Sequence, residues 1–121
     1  MIGGKGDDIY LVDSSLDEVV EMAGEGIDKV ISSVSYTLST HLENLTLSGE
    51  KPISGAGNGL DNVLEGNESN NRLIGYAGND TLIGNGSDFL MGGVGNDTYI
   101  FSRGNGNDLI KEESGNDIFA I

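Results

Sequence analysis

From residue 57 onward, short apolar triplets alternate with longer polar stretches on a beat close to nine residues. An acid or amide followed two places later by a large apolar side chain recurs as Asn62/Leu64, Asn71/Leu73, Asp80/Leu82, Asp88/Leu90, Asp97/Tyr99, Asp108/Ile110 and Asp117/Phe119. The spacings are 9, 9, 8, 9, 11 and 9 residues. Self-similarity at a fixed period marks a repeat architecture. Triplets such as Thr81-Leu82-Ile83 and Thr98-Tyr99-Ile100 are β-formers with an apolar centre. Strands of three residues hold only when paired with copies above and below. Two units per coil, about 18 residues, stack Leu64, Leu82 and Tyr99 on one side and Leu73, Leu90 and Ile110 on the facing side.

Between the triplets, glycine opens most units, at Gly57, Gly66, Gly75, Gly84 and Gly92. A second glycine precedes the acid by two places at Gly78, Gly86, Gly95, Gly106 and Gly115. Such turns tolerate positive φ and expose many carbonyl oxygens. The acid falls at the end of each turn, over the acid two units on. Stacked carboxylates repel unless a cation lies between them. Carboxylate and carbonyl oxygens together suit Ca²⁺, which accepts roughly 6–8 oxygens in irregular geometry.

The N-terminal half carries the same pattern, stretched. Gly3 to Leu11 is one complete unit and Gly24 to Val30 most of another. Strands are predicted over Ile9 to Val12, Val30 to Val34, Tyr36 to Leu38 and Leu45 to Leu47. Val19 to Met22 fits either a strand or one helical turn, and Pro52 falls in a loop. Fourteen of the 20 glycines lie between residues 55 and 115. The chain therefore divides into irregular N-terminal coils over 1–56 and a regular array over 57–121.

Composition sharpens the reading. Twenty acids face six bases, the formal net charge is −14 and only 36% of residues are hydrophobic. That is the composition of disordered chains, so either the chain is unfolded or something cationic completes it. Without a Lys/Arg cluster to neutralise phosphates, nucleic acid is excluded as a partner. Without cysteine there is no disulfide framework and no thiolate metal site. No apolar run is long enough to span a membrane, and the opening residues carry no secretory signal pattern, so an exported chain would need an address elsewhere.

Gly92-Gly93-Val94-Gly95-Asn96-Asp97-Thr98-Tyr99-Ile100 fits G-G-x-G-x-D-x-U-x, the calcium-binding β-helix repeat of RTX (repeats-in-toxin) proteins, at every specified place, and so does Gly3 to Leu11. The chain thus resembles the RTX family, densely over 57–120 and more loosely before it. Ser33 to Leu38 and Glu43 to Leu47 look like spacers between repeat blocks. The resemblance implies an all-β, right-handed parallel β-roll with several Ca²⁺ ions between turns. It also implies type I secretion from a bacterium as an unfolded chain that folds in extracellular calcium. Carboxylate ligands would be Asp80, Asp97 and Asp117 on one edge and Asp88 and Asp108 on the other. Carbonyl ligands would come from Gly75, Ala77 and Gly78, from Gly92, Gly93, Val94 and Gly95, and from Gly104 and Gly106. Asp8 and Asp28, 20 residues apart, would form a further site. Asn62 and Asn71 replace the Asp, and Leu60 and Ser69 replace the second glycine. The first two regular turns are therefore expected to be poor in calcium and held by amide hydrogen bonds.

Other polar groups receive plainer readings. Asp13, Asp17, Glu18 and Glu21 lack EF-hand spacing and are expected on a solvated face. His41, the sole histidine, has no second imidazole or thiolate for a zinc site and is expected at the surface. The repeat itself explains the many carboxylates, so no catalytic residue is assigned, although a parent protein could be an enzyme. Tyr99 is expected inside, while Tyr76 and Phe101 fit either side. The expected function is a monomeric calcium-binding module of a larger secreted protein. The alternative is a roll that presents a face to polysaccharide or a cell surface. Asp117 to Ile121 is either a secretion tail or the next repeat in phase.

Overall fold

The nine-residue beat becomes strand, turn, strand, turn. A computed structural model describes residues 4–22, 24, 26–101, 108–111, 115 and 117–120. Its strands form two parallel sheets. The longer sheet orders β1 (Ile9–Val12), β2 (Lys29–Ser32), β4 (Asn44–Leu47), β6 (Val63–Glu65), β8 (Thr81–Gly84), β10 (Thr98–Phe101) and β12 (Ile118–Ala120) side by side. The facing sheet holds β3 (Tyr36–Thr37), β5 (Ser54–Ala56), β7 (Arg72–Ile74), β9 (Phe89–Met91) and β11 (Leu109–Lys111). From β2 onward the chain visits the two sheets alternately, so it winds as a parallel β-roll, all-β among the described residues.

The register bears out the expected stacks. Leu64 pairs with Leu82, and Leu82 with Tyr99; opposite them Leu73 pairs with Leu90, and Leu90 with Ile110. Tyr10, Val30 and Leu45 extend the first stack toward the N-terminus. Alternation does the sorting: on β8 the burial pattern runs half-buried, buried, half-buried, buried, with Leu82 fully enclosed. The resulting core is one apolar column, from Tyr10 and Val12 through Leu64, Leu73 and Leu82 to Leu90 and Tyr99. From β6 to β10 each strand contributes one side chain to this column, so no such coil is stable without its neighbours.

Two local outcomes differ from the expectation. Ser54-Gly55-Ala56, over which no strand is predicted, forms β5, because Leu45 of the facing sheet and Leu73 of the neighbouring strand supply the bulk that Gly55 lacks. A Cβ on Gly55 would lie 2.9 Å from Leu45 Cδ2 and 3.3 Å from Leu73 Cδ2. Val19 to Met22 forms no helical turn and only a single β-bridge, at Val20. It runs extended through the loop between β1 and β2, where no strand of the facing sheet intervenes. Extended chain points alternate residues to opposite sides. Val19 and Glu21 therefore face inward at 1% and 6% exposure, while Val20 and Met22 face out. Glu21 thus leaves the solvated face on which its sequence neighbours Asp13 and Glu18 remain exposed.

Candidate metal centre

Each strand of the longer sheet is preceded by the acid or amide that ends a turn, and parallel pairing places these residues over one another. The contact is direct. Oδ1 of Asp97 accepts the backbone N–H of Asp80 at 2.8 Å, and Oδ1 of Asp117 accepts that of Asp97 at 2.7 Å. Asp80 in turn accepts the N–H of Asn62 at 2.8 Å. The second edge repeats this, with Asn71 N–H on Asp88 and Asp88 N–H on Asp108, at 2.7 and 2.8 Å. One carboxylate oxygen per coil is therefore spent on the neighbouring backbone, so the stacked acids are linked even before any cation is considered.

The other oxygen is what makes the site. Asp80 is 1% exposed, and its Oδ2 is buried with no hydrogen-bond partner. It lies against the α-carbon of Gly75, where a Cβ would collide with it and would also sit 2.8 Å from the Gly92 carbonyl oxygen. The turn glycine thus opens a cradle between successive coils, lined by a carboxylate oxygen below and a carbonyl oxygen above. At Gly92 a Cβ would likewise collide with Asp97 Oδ2, and here the Tyr99 hydroxyl, which accepts the Gly92 N–H at 2.8 Å, stands where Gly75 has a carbonyl oxygen. Burial pushes the Asp80 carboxyl up to about 7; the Asn62 amide opposes the rise, and the charges of Asp97 and Asp61 add to it. Burial likewise raises Asp88, opposed by the amides of Asn71 and Gly86 and reinforced by Asp108. A buried carboxylate oxygen without a donor, in a hard-oxygen cradle, is a fit for Ca²⁺.

The expected ligands fall as follows. Asp80, Asp97 and Asp117 share one edge, and Asp88 and Asp108 share the other. Gly75, Gly92 and Gly93 are buried, Gly78 and Gly95 are half-buried, and Ala77 and Val94 pair as a bridge with exposed side chains. Gly104 and Gly106 lie outside the described residues. Asp28 accepts the Asp8 N–H at 2.8 Å, and burial raises its carboxyl, with Glu21, Asp8 and Asp7 adding to the rise. His41 is half-buried and takes a φ of 72°. Tyr99 is fully enclosed and Tyr76 is 52% exposed, whereas the Phe101 side chain lies outside the described atoms.

One feature went unread in the sequence. Glu43 continues the ladder, its Oε2 accepting the Asp28 N–H at 2.9 Å. The acid-x-apolar rule already contained it, as Glu43/Leu45, but the missing glycines made the segment look like a spacer. Amide side chains also satisfy turn carbonyls. Asn62 Nδ2 donates to the carbonyls of Leu42 and Glu43, Asn58 Nδ2 to those of Ser39 and Leu42, and Asn71 Nδ2 to that of Ile53. At these coils an N–H₂ group meets the carbonyls with its own positive edge.

A parallel β-roll with buried acid ladders and carbonyl-lined glycine cradles is the framework of a cation-binding repeat module. Residues 56–86, 65–99 and 84–110 match the RTX calcium-binding nonapeptide repeat (4 copies), so this stretch of the chain carries RTX calcium-binding repeats. Among curated proteins, it is 47% identical over 66 residues to the endo-1,3-1,4-beta-glycanase ExsH of Rhizobium meliloti (strain 1021). It is 38% identical over 66 residues to the endo-1,3-1,4-beta-glycanase EglC of the same organism. Each alignment covers 54% of this chain and 14% of the relative's length. No solved structure matches the chain. The module is a calcium-binding repeat roll, which is not itself catalytic, and among the described residues no helix is long and apolar enough to cross a membrane.

Proposed function

We propose that this module binds several Ca²⁺ ions between successive coils and that their binding drives its folding, within a larger bacterial protein exported by type I secretion. The regular roll over 57–121 would hold ions along Asp80, Asp97 and Asp117 and along Asp88 and Asp108. The turn carbonyls from 75–78 and 92–95 would complete the shells. Bound calcium would supply positive charge to the paired carboxylates. The chain's own residues do the rest: Gly75 and Gly92 clear the cradles, the backbone amides fix each carboxylate through Oδ1, and burial makes the remaining oxygen costly to leave alone. The observation that carries this reading is the buried, partnerless Oδ2 of Asp80 above Gly75. Coupling to folding follows, because the unfolded chain has no preformed site. Circular dichroism in chelator against millimolar Ca²⁺ tests it. A cooperative gain of β signal with calcium is expected, and identical folded spectra in both would overturn it.

A second reading has its own observation. An open groove of about 380 Å³ runs along the outer face of the shorter sheet, lined by Tyr36, Thr37, Ser54, Arg72 and Tyr76 among others. Aromatic faces beside hydroxyl and guanidinium donors suit a sugar chain, and two relatives are named β-glycanases. The roll would then hold polysaccharide near a catalytic domain of the parent protein. Titration with β-glucans in the presence of calcium tests it, and no change on Tyr76→Ala would remove it.

A further inference from the structure

The irregular loop between β1 and β2 carries one acid into the interior, and it meets two others there. Carboxylate oxygens of Asp8, Glu21 and Asp28 lie within 4.8 Å of one another. Glu21 is 6% exposed and Asp28 1%. The Tyr10 hydroxyl holds Glu21 through Oε1, which leaves Glu21 Oε2 buried without a partner; Asp8 Oδ2 is buried in the same condition. Three carboxylates converging out of solvent with two such oxygens form a charge that the protein does not neutralise from within. Two ligands on opposite sides of a calcium ion at about 2.4 Å lie about 4.8 Å apart, so all three side chains can reach one ion.

We propose that Glu21, a residue outside the nonapeptide pattern, completes a calcium site with Asp8 and Asp28, the acids of the two N-terminal units, supplying the third carboxylate while Tyr10 positions it. The donor set selects the metal class. It is all hard oxygen, with no imidazole or thiolate, which suits Ca²⁺ over Zn²⁺ or copper. The site lies outside residues 56–110, where the repeat family matches, and it does not depend on the roll ions. Its structural effect is local. Asp8 precedes β1, Asp28 precedes β2, and Glu21 belongs to the loop joining them, so one ion ties the end strand of the described sheet to the loop that covers it.

Bound metal per chain, from equilibrium dialysis against Ca²⁺, tests the proposal on the full chain, with Tb³⁺ luminescence sensitised by tyrosine as a second readout. Glu21→Gln should bind one ion fewer per chain while keeping its calcium-bound circular dichroism. Tyr10→Phe should bind the ion several-fold more weakly. Asp80→Asn should leave this ion in place. Should Glu21→Gln fail to fold in calcium, Asp8→Asn decides, because Asp8 is only half-buried; it too should lose one ion. Wild-type stoichiometry in the folded Glu21→Gln, or in Asp8→Asn, overturns the site. Loss of one ion in these variants with the full number retained by Asp80→Asn would instead overturn the roll reading and leave this site standing.

Discussion

Replacing Asp80 by Asn should have opposite effects with and without calcium. In the metal-free roll, burial pushes the Asp80 carboxyl from its ordinary 3.8 up to about 7, so at pH 8 the folded state carries an ionised group it disfavours. A displacement of that size corresponds to a penalty on the order of 4 kcal/mol. Asn removes the charge, and its Oδ1 can still accept the Asn62 N–H that Asp80 accepts at 2.8 Å. Its N–H₂ can also find acceptors: Asn62, one coil earlier, places the same group on the Leu42 and Glu43 carbonyls at 3.3 and 3.0 Å. In chelator at pH 8 the variant should therefore fold more readily by about 1–4 kcal/mol, the lower end reflecting relaxation around the buried charge. With calcium in excess the order reverses, because the wild type gains binding energy that the variant loses, about 2.7 kcal/mol at a hundredfold excess over Kd. The assay is urea or osmolyte titration of the far-ultraviolet signal under both conditions. A variant less stable than wild type in chelator, or unchanged in its calcium dependence, would refute the reasoning.

The remaining expectations concern pH, the cradle, one turn and the ladder. Asp80, Asp88 and Asp28 all have raised folded-state pKa values, so their contribution to metal-free stability is full at low pH and is lost as pH rises, for Asp80 through about 7; metal-free β signal should be greater at pH 5 than at pH 8, while calcium affinity falls over the same descent. Gly75→Ala sets a methyl against the Asp80 carboxylate and 2.8 Å from the Gly92 carbonyl oxygen, and should weaken calcium binding and destabilise by about 1–3 kcal/mol in thermal melts. Tyr76 holds a φ of 71° where the next coil has Gly93 at 87°, so Tyr76→Gly should stabilise the calcium-bound roll by about 1 kcal/mol, read as a shifted urea midpoint. Asp97 serves two rungs, bonding to Asp80 and Asp117, so Asp97→Ala should lose more bound calcium than Asp117→Ala; equal losses would refute the shared register.

The roll was legible because its two periods are both short. An acid, one residue and an apolar side chain mark turn end and strand centre in the same three positions, and that spacing alone predicts the Leu64–Leu82–Tyr99 stack. Where the signal failed, the structure supplied through space what the sequence omitted locally. Gly55 sits in a strand without strand character because leucines of the opposite sheet fill its place. Glu43 joined the ladder without a glycine turn, since parallel pairing of β4 with β2 sets its position whatever precedes it. Glu21 was misplaced for a related reason. Its acidic neighbours suggested solvent, but extended backbone anchored by buried Val19 turns every second residue inward, and the Ser39 hydroxyl bonding to the Val19 carbonyl at 2.9 Å pins that phase.

Read along the longer sheet, the ladder runs Asp8, Asp28, Glu43, Asn62, Asp80, Asp97, Asp117, and its chemistry inverts once. A carboxylate accepts the N–H of the coil before it, as Asp28 does from Asp8 and Asp97 from Asp80. It then keeps a second oxygen that no backbone donor reaches in Asp80. Asn62 works in the other direction, donating its N–H₂ to carbonyls of the preceding coil, while its Oδ1 accepts the Asn58 N–H at 2.9 Å. Such a rung closes its own hydrogen bonds and carries no charge, so it has nothing for a cation to complete. It separates the acidic run Asp8–Asp28–Glu43 from the run Asp80–Asp97–Asp117. Because stacked coils contact only their neighbours, repulsion within one run is not relayed through the neutral rung by contact. The amide at 62 is thus a structural element in its own right: it lets one continuous sheet carry two acidic blocks that do not touch.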